Sequence, residues 1–113
     1  MTRGMDGCLW IFGEDDWREF QKMLTPKSPL DADYVRLERI FVGSAVECTT
    51  DPQGRVLIPQ DLRDLAGIND EILVKGVNNK VELWSKERHD AFMQKYDDKE
   101  IEALGRAIQP STA

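Results

Sequence analysis

The chain has 113 residues, of which 41% are hydrophobic and 32% charged, enough for one domain or two small repeats. It has no run of about 18 apolar residues that could cross a membrane, and residues 1–6 lack the apolar core of a secretory signal, so we expect a cytoplasmic protein. Its net charge of −6 weighs against nucleic-acid binding, because DNA-binding proteins usually present a basic surface.

An internal repeat organises the chain. The residues from Gly4 to Phe12 align without a gap with the residues from Gly76 to Trp84, an offset of 72 (76 − 4). Each copy predicts a tight turn, a strand and a helix, since Asp-Gly and Asn-Asn are turn dipeptides. Residues 44–75 precede the turn of the second copy, whereas the chain begins close to the turn of the first. We therefore expect one complete repeat and one that lacks its N-terminal part.

Hydrophobic periodicity and turn residues predict the other elements in chain order. The helices are expected at 14–24, 31–42, 59–66, 86–96 and 98–108, and the later strands at 44–50, 56–58, 71–75 and 80–84. The second helix carries a short apolar seam that requires a partner, made of Leu30, Tyr34, Leu37 and Phe41. The expected units are 1–24 (first repeat), 25–43 (linker and connecting helix), 44–96 (second repeat) and 97–113 (C-terminal helix with a frayed tail from residue 109).

A tight turn at residues 51–55 is the most informative local motif. The carboxylate of Asp51 can accept backbone N–H groups and the guanidinium of Arg55. Gly54 permits the positive φ with which the chain reverses. By itself this pattern has two interpretations: the pair only fastens a hairpin, or it also presents an arginine to a ligand.

The surrounding pattern resembles a known fold. A strand, a DxxGR turn, a strand ending in Ile-Pro and a short helix closed by Gly67 resemble the SpoVT/AbrB-like swapped-hairpin proteins. Three segments, TRGMDGCLWIF, GSAVECTTDPQGRVLIPQDLRDLAGI and VKGVNNKVELWSKERHDAF, are similar to the MraZ family over residues 2–96. The resemblance implies an α+β fold of AbrB-like swapped-hairpin β-barrel repeats with flanking helices.

The resemblance also implies a function. MraZ proteins form rings and regulate the bacterial division and cell-wall gene cluster by binding short direct repeats upstream of it. We therefore expect a nucleoid-associated homo-oligomer that binds double-stranded promoter DNA. Arg55 and Arg63 are the candidate DNA contacts, whereas Asp51 and Gly54 shape the turn.

Two alternatives remain open. The acidic balance and the single DxxxR turn favour an oligomerising homologue that does not bind DNA, and other swapped-hairpin proteins are antitoxins that bind a toxin through a C-terminal tail. An enzyme is the weakest interpretation, because no nucleophile with a base, paired carboxylates or phosphate loop is visible. We expect no cofactor, no small-molecule substrate and no metal site, since Cys8, Cys48 and His89 are too few ligands for structural zinc.

Other positions have ordinary interpretations. The three tryptophans could stack on nucleic acid, but their spacing favours packing in the core. His89 is expected at the surface, and Lys86 and Arg88 are expected to be solvated charges. The two cysteines are expected to be small apolar core residues.

Overall fold

The computed structural model describes residues 1–108, and within them the chain is α+β, as predicted. The expected frayed tail at 109–113 lies outside the described residues. The elements in chain order are β1 (Thr2–Arg3), β2 (Leu9–Phe12), α1 (Glu14–Leu24), α2 (Ala32–Phe41), α3 (Gln60–Ala66), β3 (Ile72–Val77), β4 (Lys80–Ser85), α4 (Lys86–Lys95) and α5 (Asp98–Ala107). Over residues 1–108, every helix is too short or too polar to span a bilayer.

A four-stranded antiparallel sheet forms the centre of the fold, with the strand order β1-β2-β4-β3. Each copy of the repeat supplies one hairpin, and the two hairpins meet where β2 pairs with β4. In that pairing Trp10 lies opposite Glu82, which is also its counterpart at the offset of 72. A local pseudo-twofold axis therefore passes through this pair of residues, and the internal repeat is visible as symmetry of the sheet.

The two hairpin turns differ although their sequences align. Asp6 and Asn78 both take positive φ, 62° and 56°, as their turn dipeptides predict. In the first hairpin the Gly4 N–H donates to the Cys8 carbonyl at 2.8 Å, which leaves three residues in the loop. In the second, residues 77 and 80 are paired and two residues form the loop. The alignment does not reveal this difference, because loop closure depends on which strand residues pair.

Helices cover both faces of the sheet. On one face Leu9 and Leu83 pack with Leu62, Ala66 and Ile68, the last three belonging to α3 and the residues just after it. On the other face Cys8, Trp10 and Trp84 form a second buried cluster, lined by partly buried residues that are mostly aromatic: Phe12, Phe20, Phe41, Leu73 and Phe92. Burial of Trp10 and Trp84 confirms that these tryptophans belong to the core.

Two predicted strands are absent from the described part of the chain. Residues 45–50 and 56–58 lie on either side of the turn and form no ladder, and Ser44 belongs to the turn that follows α2. Short hydrogen bonds join residues 44–46 to the start of the chain: Met1 and Val46 exchange two at 2.8 Å, and the hydroxyls of Thr2 and Ser44 lie 3.0 Å apart. The prediction of strands was wrong because a strand requires a neighbouring strand along its length, and hydrophobic alternation does not identify that neighbour.

Local contacts fix the start of α4 and the end of α3, and the predicted closing of α3 by Gly67 is confirmed. The backbone N–H of Arg88 donates to the Ser85 hydroxyl at 3.1 Å, so Ser85 caps α4. Gly67 follows α3 with a φ of 65°, the left-handed conformation in which helices commonly stop. The candidate site lies in the segment from the turn at residues 51–55 to β3, and the end of α3 at Gly67 fixes part of this segment.

Candidate nucleic-acid interface

The turn at residues 51–55 is closed mainly by the side chain of Asp51. Its Oδ1 accepts the backbone N–H groups of Gln53 at 2.9 Å and Arg55 at 2.8 Å. Its Oδ2 accepts Nε of Arg55 at 2.8 Å. Gly54 has a φ of 78° and donates its N–H to the Asp51 carbonyl at 2.9 Å. The structure thus brings together the three turn residues that the sequence singled out.

The electrostatics of the turn favour an ionised carboxylate. The backbone N–H of Arg55 lowers the pKa of Asp51 most. Desolvation is the next largest effect and raises this pKa, whereas the Arg55 guanidinium and the Gln53 N–H lower it further, so that the pKa lies below its ordinary value. Hydrogen bonds to the charged form of an acid stabilise that form. Asp51 is therefore negatively charged at neutral pH and holds the base of the arginine side chain.

Arg55 is displayed at the surface. Its side chain is 74% exposed, and its contact with Asp51 uses only Nε, so that contact leaves the donors of the terminal nitrogens available. A guanidinium presented in this way can bind phosphate oxygens or the O6 and N7 acceptors of guanine. The geometry supports both roles considered for this residue: it fastens the turn and still presents donors.

Arg63 is used differently. Its Nη2 donates to the Asn69 carbonyl at 2.9 Å and its Nε approaches the Ile68 carbonyl at 3.5 Å. These bonds hold the chain that follows α3, and Arg63 is half-buried. It also lines a groove of about 280 Å³ beside residues 56–58 and Ile72. The geometry therefore favours a structural role for Arg63, and a DNA contact by this residue stays a prediction.

Arg88 has a role that the sequence did not suggest. It is exposed, as expected, and in addition its Nη1 donates to the Leu65 carbonyl at 2.7 Å and to the Gly7 carbonyl at 3.3 Å. It thereby ties the first hairpin loop to the end of α3 and to α4. The indicative signal was the pair of turn glycines, Gly7 and Gly67, against whose backbones the guanidinium packs.

His89 is also not the surface residue that was expected. Its side chain is 15% exposed and its ring meets Trp84 edge-on at 5.6 Å. Nε2 lies 2.7 Å from the ammonium of Lys75, so this nitrogen acts as the acceptor. The histidine is a packing residue between β3, β4 and α4.

Cys8 is inert in this fold. It is completely buried, and burial together with the nearby Glu82 carboxylate raises the pKa of its thiol to about 12. The thiolate is the reactive form of cysteine, and it is scarcely populated here at neutral pH. The sulfur therefore acts as a small packing group, as the sequence predicted.

Comparisons with known proteins agree on one family. The family model described as "MraZ protein, putative antitoxin-like" matches residues 41–109, more than half of the chain. The chain is also similar to proteins named transcriptional regulator MraZ. That of Lachnoclostridium phytofermentans is 40% identical over 91 residues, which are 80% of this chain and 64% of the relative.

Further relatives show the same relationship. The protein of Desulforamulus reducens is 38% identical over 92 residues, 81% of this chain and 65% of the relative. That of Moorella thermoacetica is 36% identical over 108 residues, 96% of this chain and 75% of the relative. The chain thus spans slightly less than two thirds of the length of the first two curated relatives.

Proposed function

Because this chain belongs to the MraZ family, we propose that it is a sequence-specific DNA-binding transcriptional regulator. Its target is a set of short direct repeats in the promoter of the bacterial division and cell-wall genes, which it binds as a nucleoid-associated homo-oligomer. The name of the relatives, transcriptional regulator MraZ, supports this role. The observation that carries the proposal is the exposed guanidinium of Arg55, fixed at its base by Asp51.

A fixed base matters for affinity. Immobilising a flexible side chain on binding costs about 0.5–1.5 kcal/mol, and the bond between Asp51 and Arg55 has already removed part of that freedom. A bidentate contact of arginine with guanine contributes about 1–3 kcal/mol of discrimination. An oligomer that presents the same turn on every subunit multiplies a modest contact on repeated DNA sites.

The net charge of −6 favours a second candidate function. In it the chain assembles with other subunits but contributes no DNA contact, because an acidic surface repels the phosphate backbone. The two candidates differ in whether binding to promoter DNA depends on Arg55.

DNA-binding measurements test the proposal. Fluorescence anisotropy would follow a promoter fragment with the direct repeats, beside a scrambled fragment, at about 50 and 200 mM salt. We expect saturable binding that prefers the repeats and weakens at higher salt. Arg55→Ala should weaken it by about tenfold or more, since one lost bidentate contact accounts for about 1–3 kcal/mol.

Arg18→Ala is the matched control. Arg18 is likewise an exposed arginine, 60% accessible, in an ion pair with Glu14 at 2.8 Å, but it lies on α1, outside the turn. Its substitution should leave the affinity within about twofold, given the small effect of surface ion pairs. If both variants lose affinity equally, the loss reflects the lower positive charge of the protein and not a specific contact by Arg55. If the chain binds the promoter fragment no better than the scrambled DNA, the second candidate function is favoured.

A further inference from the structure

The last described helix presents an apolar stripe to solvent. Ile101, Leu104 and Ile108 are 57%, 53% and 72% exposed. Their spacing of three residues places Ile101 and Leu104 on one side of α5, and Ile108 is the residue that caps its C-terminal end. No residue of α5 is buried. Three large aliphatic side chains in a row are costly to leave in water, at roughly 25 cal/mol per Å² of apolar area.

A second stripe begins at Leu30, two residues before α2, and continues along α2. Leu30, Tyr34 and Leu37 are 90%, 44% and 38% exposed, so the seam predicted from the sequence is uncovered over most of its length. Its C-terminal end is anchored, because Phe41 stacks on Trp10 with ring centroids 5.7 Å apart. Exposure thus increases along the seam away from the core.

We propose that α5 of one copy docks antiparallel on α2 of a second copy of this chain. This inference rests on the self-association included in the proposed function, and it identifies the contact surface. The spacings match when one helix is reversed, three then four residues in both stripes. The facing pairs are Ile101 with Leu37, Leu104 with Tyr34, and Ile108 with Leu30.

Charge selects this orientation. The start of α5 is acidic, with Asp98 and Glu100 in its first turn, and Arg39 lies in the last turn of α2. At the other end Arg106 of α5 approaches Asp33 in the first turn of α2. Antiparallel docking of α5 on α2 therefore brings opposite charges together at both ends of the contact. It also aligns the two helix dipoles in opposite directions, which is the favourable arrangement.

Neither the existing ion pairs nor Lys99 opposes this arrangement. Arg36 with Asp33 at 3.5 Å and Arg106 with Glu102 at 3.9 Å are exposed pairs within a helix, which contribute little and can rearrange. Lys99 precedes Leu104 by five residues, a rotation of about 140° at 100° per residue. It therefore points away from the stripe.

The shape of the single chain agrees with a missing neighbour. Its radius of gyration is 16.1 Å, whereas a compact chain of this length has about 13 Å. The proposed contact joins two different surfaces, so each copy offers one to a neighbour on either side. Such a contact either closes between a fixed number of copies or continues from copy to copy.

Sedimentation velocity and light scattering on the whole chain test the contact. Leu104→Glu disables the α5 stripe, and the double variant Leu30→Glu with Leu37→Glu disables the α2 stripe. We expect the mass of each variant to fall to that of one chain while its circular dichroism spectrum stays that of the parent. Met93→Glu, at an equally exposed site on α4 (53%), should keep the parent mass.

Mixing the two variants gives the decisive result. Each retains one intact surface, so an equimolar mixture should form a complex of two chains and stop there. Single-chain variants whose mixture does not associate would overturn the pairing of α5 with α2. Variants that keep the mass of the parent oligomer would also overturn the pairing of α5 with α2, although they would show that the chain self-associates through another surface. A parent chain that is itself monomeric would remove the self-association and this inference together, whatever the result with DNA.

The single variant Leu30→Glu protects the test against misfolding. Leu30 is 90% exposed, so a charge there cannot disturb the packing of its own chain. It should weaken association measurably, with a dissociation constant raised about fivefold or more, as expected for about 1 kcal/mol of lost apolar burial. An unchanged dissociation constant would contradict the α2 half of the contact.

Discussion

At the scale of single residues, arginines that are close in sequence have different surroundings and different roles. Arg55 and Arg63 are both candidates by sequence, yet Arg55 is displayed and Arg63 is held by the carbonyls of Ile68 and Asn69. Arg88 is exposed, as expected, and also bonds two carbonyls from distant parts of the chain. The difference follows from acceptor geometry, because a guanidinium binds wherever carbonyls converge.

The lowered pKa of Asp51 predicts how the stability of the turn depends on pH. A carboxyl with a lower pKa in the folded state adds stability above its unfolded pKa, and this contribution is lost as the pH falls through the folded pKa. Wild type should therefore be more stable than Asp51→Asn at neutral pH, and the difference should be smaller at about pH 3, below the usual aspartate pKa of about 3.9, and should continue to shrink as the pH falls through the lower pKa of the folded state. Urea unfolding midpoints at both pH values measure this.

Asp70→Asn is the control for that experiment. Asp70 is exposed and makes no hydrogen bond or ion pair with the residues from 1 to 108, so its substitution should change the midpoint little at either pH. A difference between wild type and Asp51→Asn that stays constant with pH would mean that the charge of Asp51 does not fasten the turn.

At the scale of elements, local signals fix the helices and their ends. Pro59 precedes α3, Gly67 follows it and Ser85 caps α4, each through geometry confined to a few residues. The segments 44–50 and 56–58 lack the ladder that their sequence suggests. A helix satisfies its own hydrogen bonds, whereas a strand depends on another segment.

Gly67→Ala should destabilise the protein. Gly67 has a φ of 65°, and an added Cβ would lie 3.0 Å from Nε of Arg88, so the methyl group is strained and also displaces the guanidinium. We expect a loss of about 1–2 kcal/mol in the free energy of unfolding, measured by urea denaturation. In Gly76→Ala the Cβ meets nothing within 4 Å, and the change should stay within about 0.5 kcal/mol. Equal effects would contradict the role of the Gly67–Arg88 contact.

At the scale of the whole molecule, one carboxylate joins the two copies of the repeat. Glu82 accepts the indole N–H of Trp10 at 2.9 Å and that of Trp84 at 3.0 Å, and it pairs with Trp10 on the pseudo-twofold axis. Both tryptophans are buried, 9% and 4% exposed. The carboxylate thus satisfies two buried donors, one from each hairpin.

Glu82→Ala should cost about 2–4 kcal/mol of unfolding free energy, because a buried donor without an acceptor costs about 1–3 kcal/mol and two are left here. Glu82→Gln retains one carbonyl oxygen and should lose about half as much. Glu87→Ala, at an exposed glutamate in the first turn of α4, should stay within about 0.5 kcal/mol. Thermal and urea unfolding measure the stability of all three variants. A loss of unfolding free energy for Glu82→Ala that is no larger than for Glu87→Ala would mean that water replaces the carboxylate as the acceptor.

The sequence by itself determined what depends on near neighbours along the chain. The helices and their caps, the positive φ of Asp6 and Asn78, and the closing of the 51–55 turn by Asp51 and Gly54 follow from propensities and bonds spanning a few residues. The offset of 72 residues also predicted a turn followed by a strand in each copy, since segments with the same pattern of turn and apolar residues form similar local structure. Through these features the family resemblance and the candidate Arg55 were readable without a structure.

Only the tertiary structure decided what depends on distant segments. The roles of Glu82 and Arg88, the packing of His89, the commitment of Arg63 to carbonyls and the absence of a ladder along residues 44–50 each involve groups that the sequence does not pair. The physical reason is that hydrogen-bond partners and solvent exposure are fixed when segments far apart in sequence meet, and local patterns do not encode that meeting.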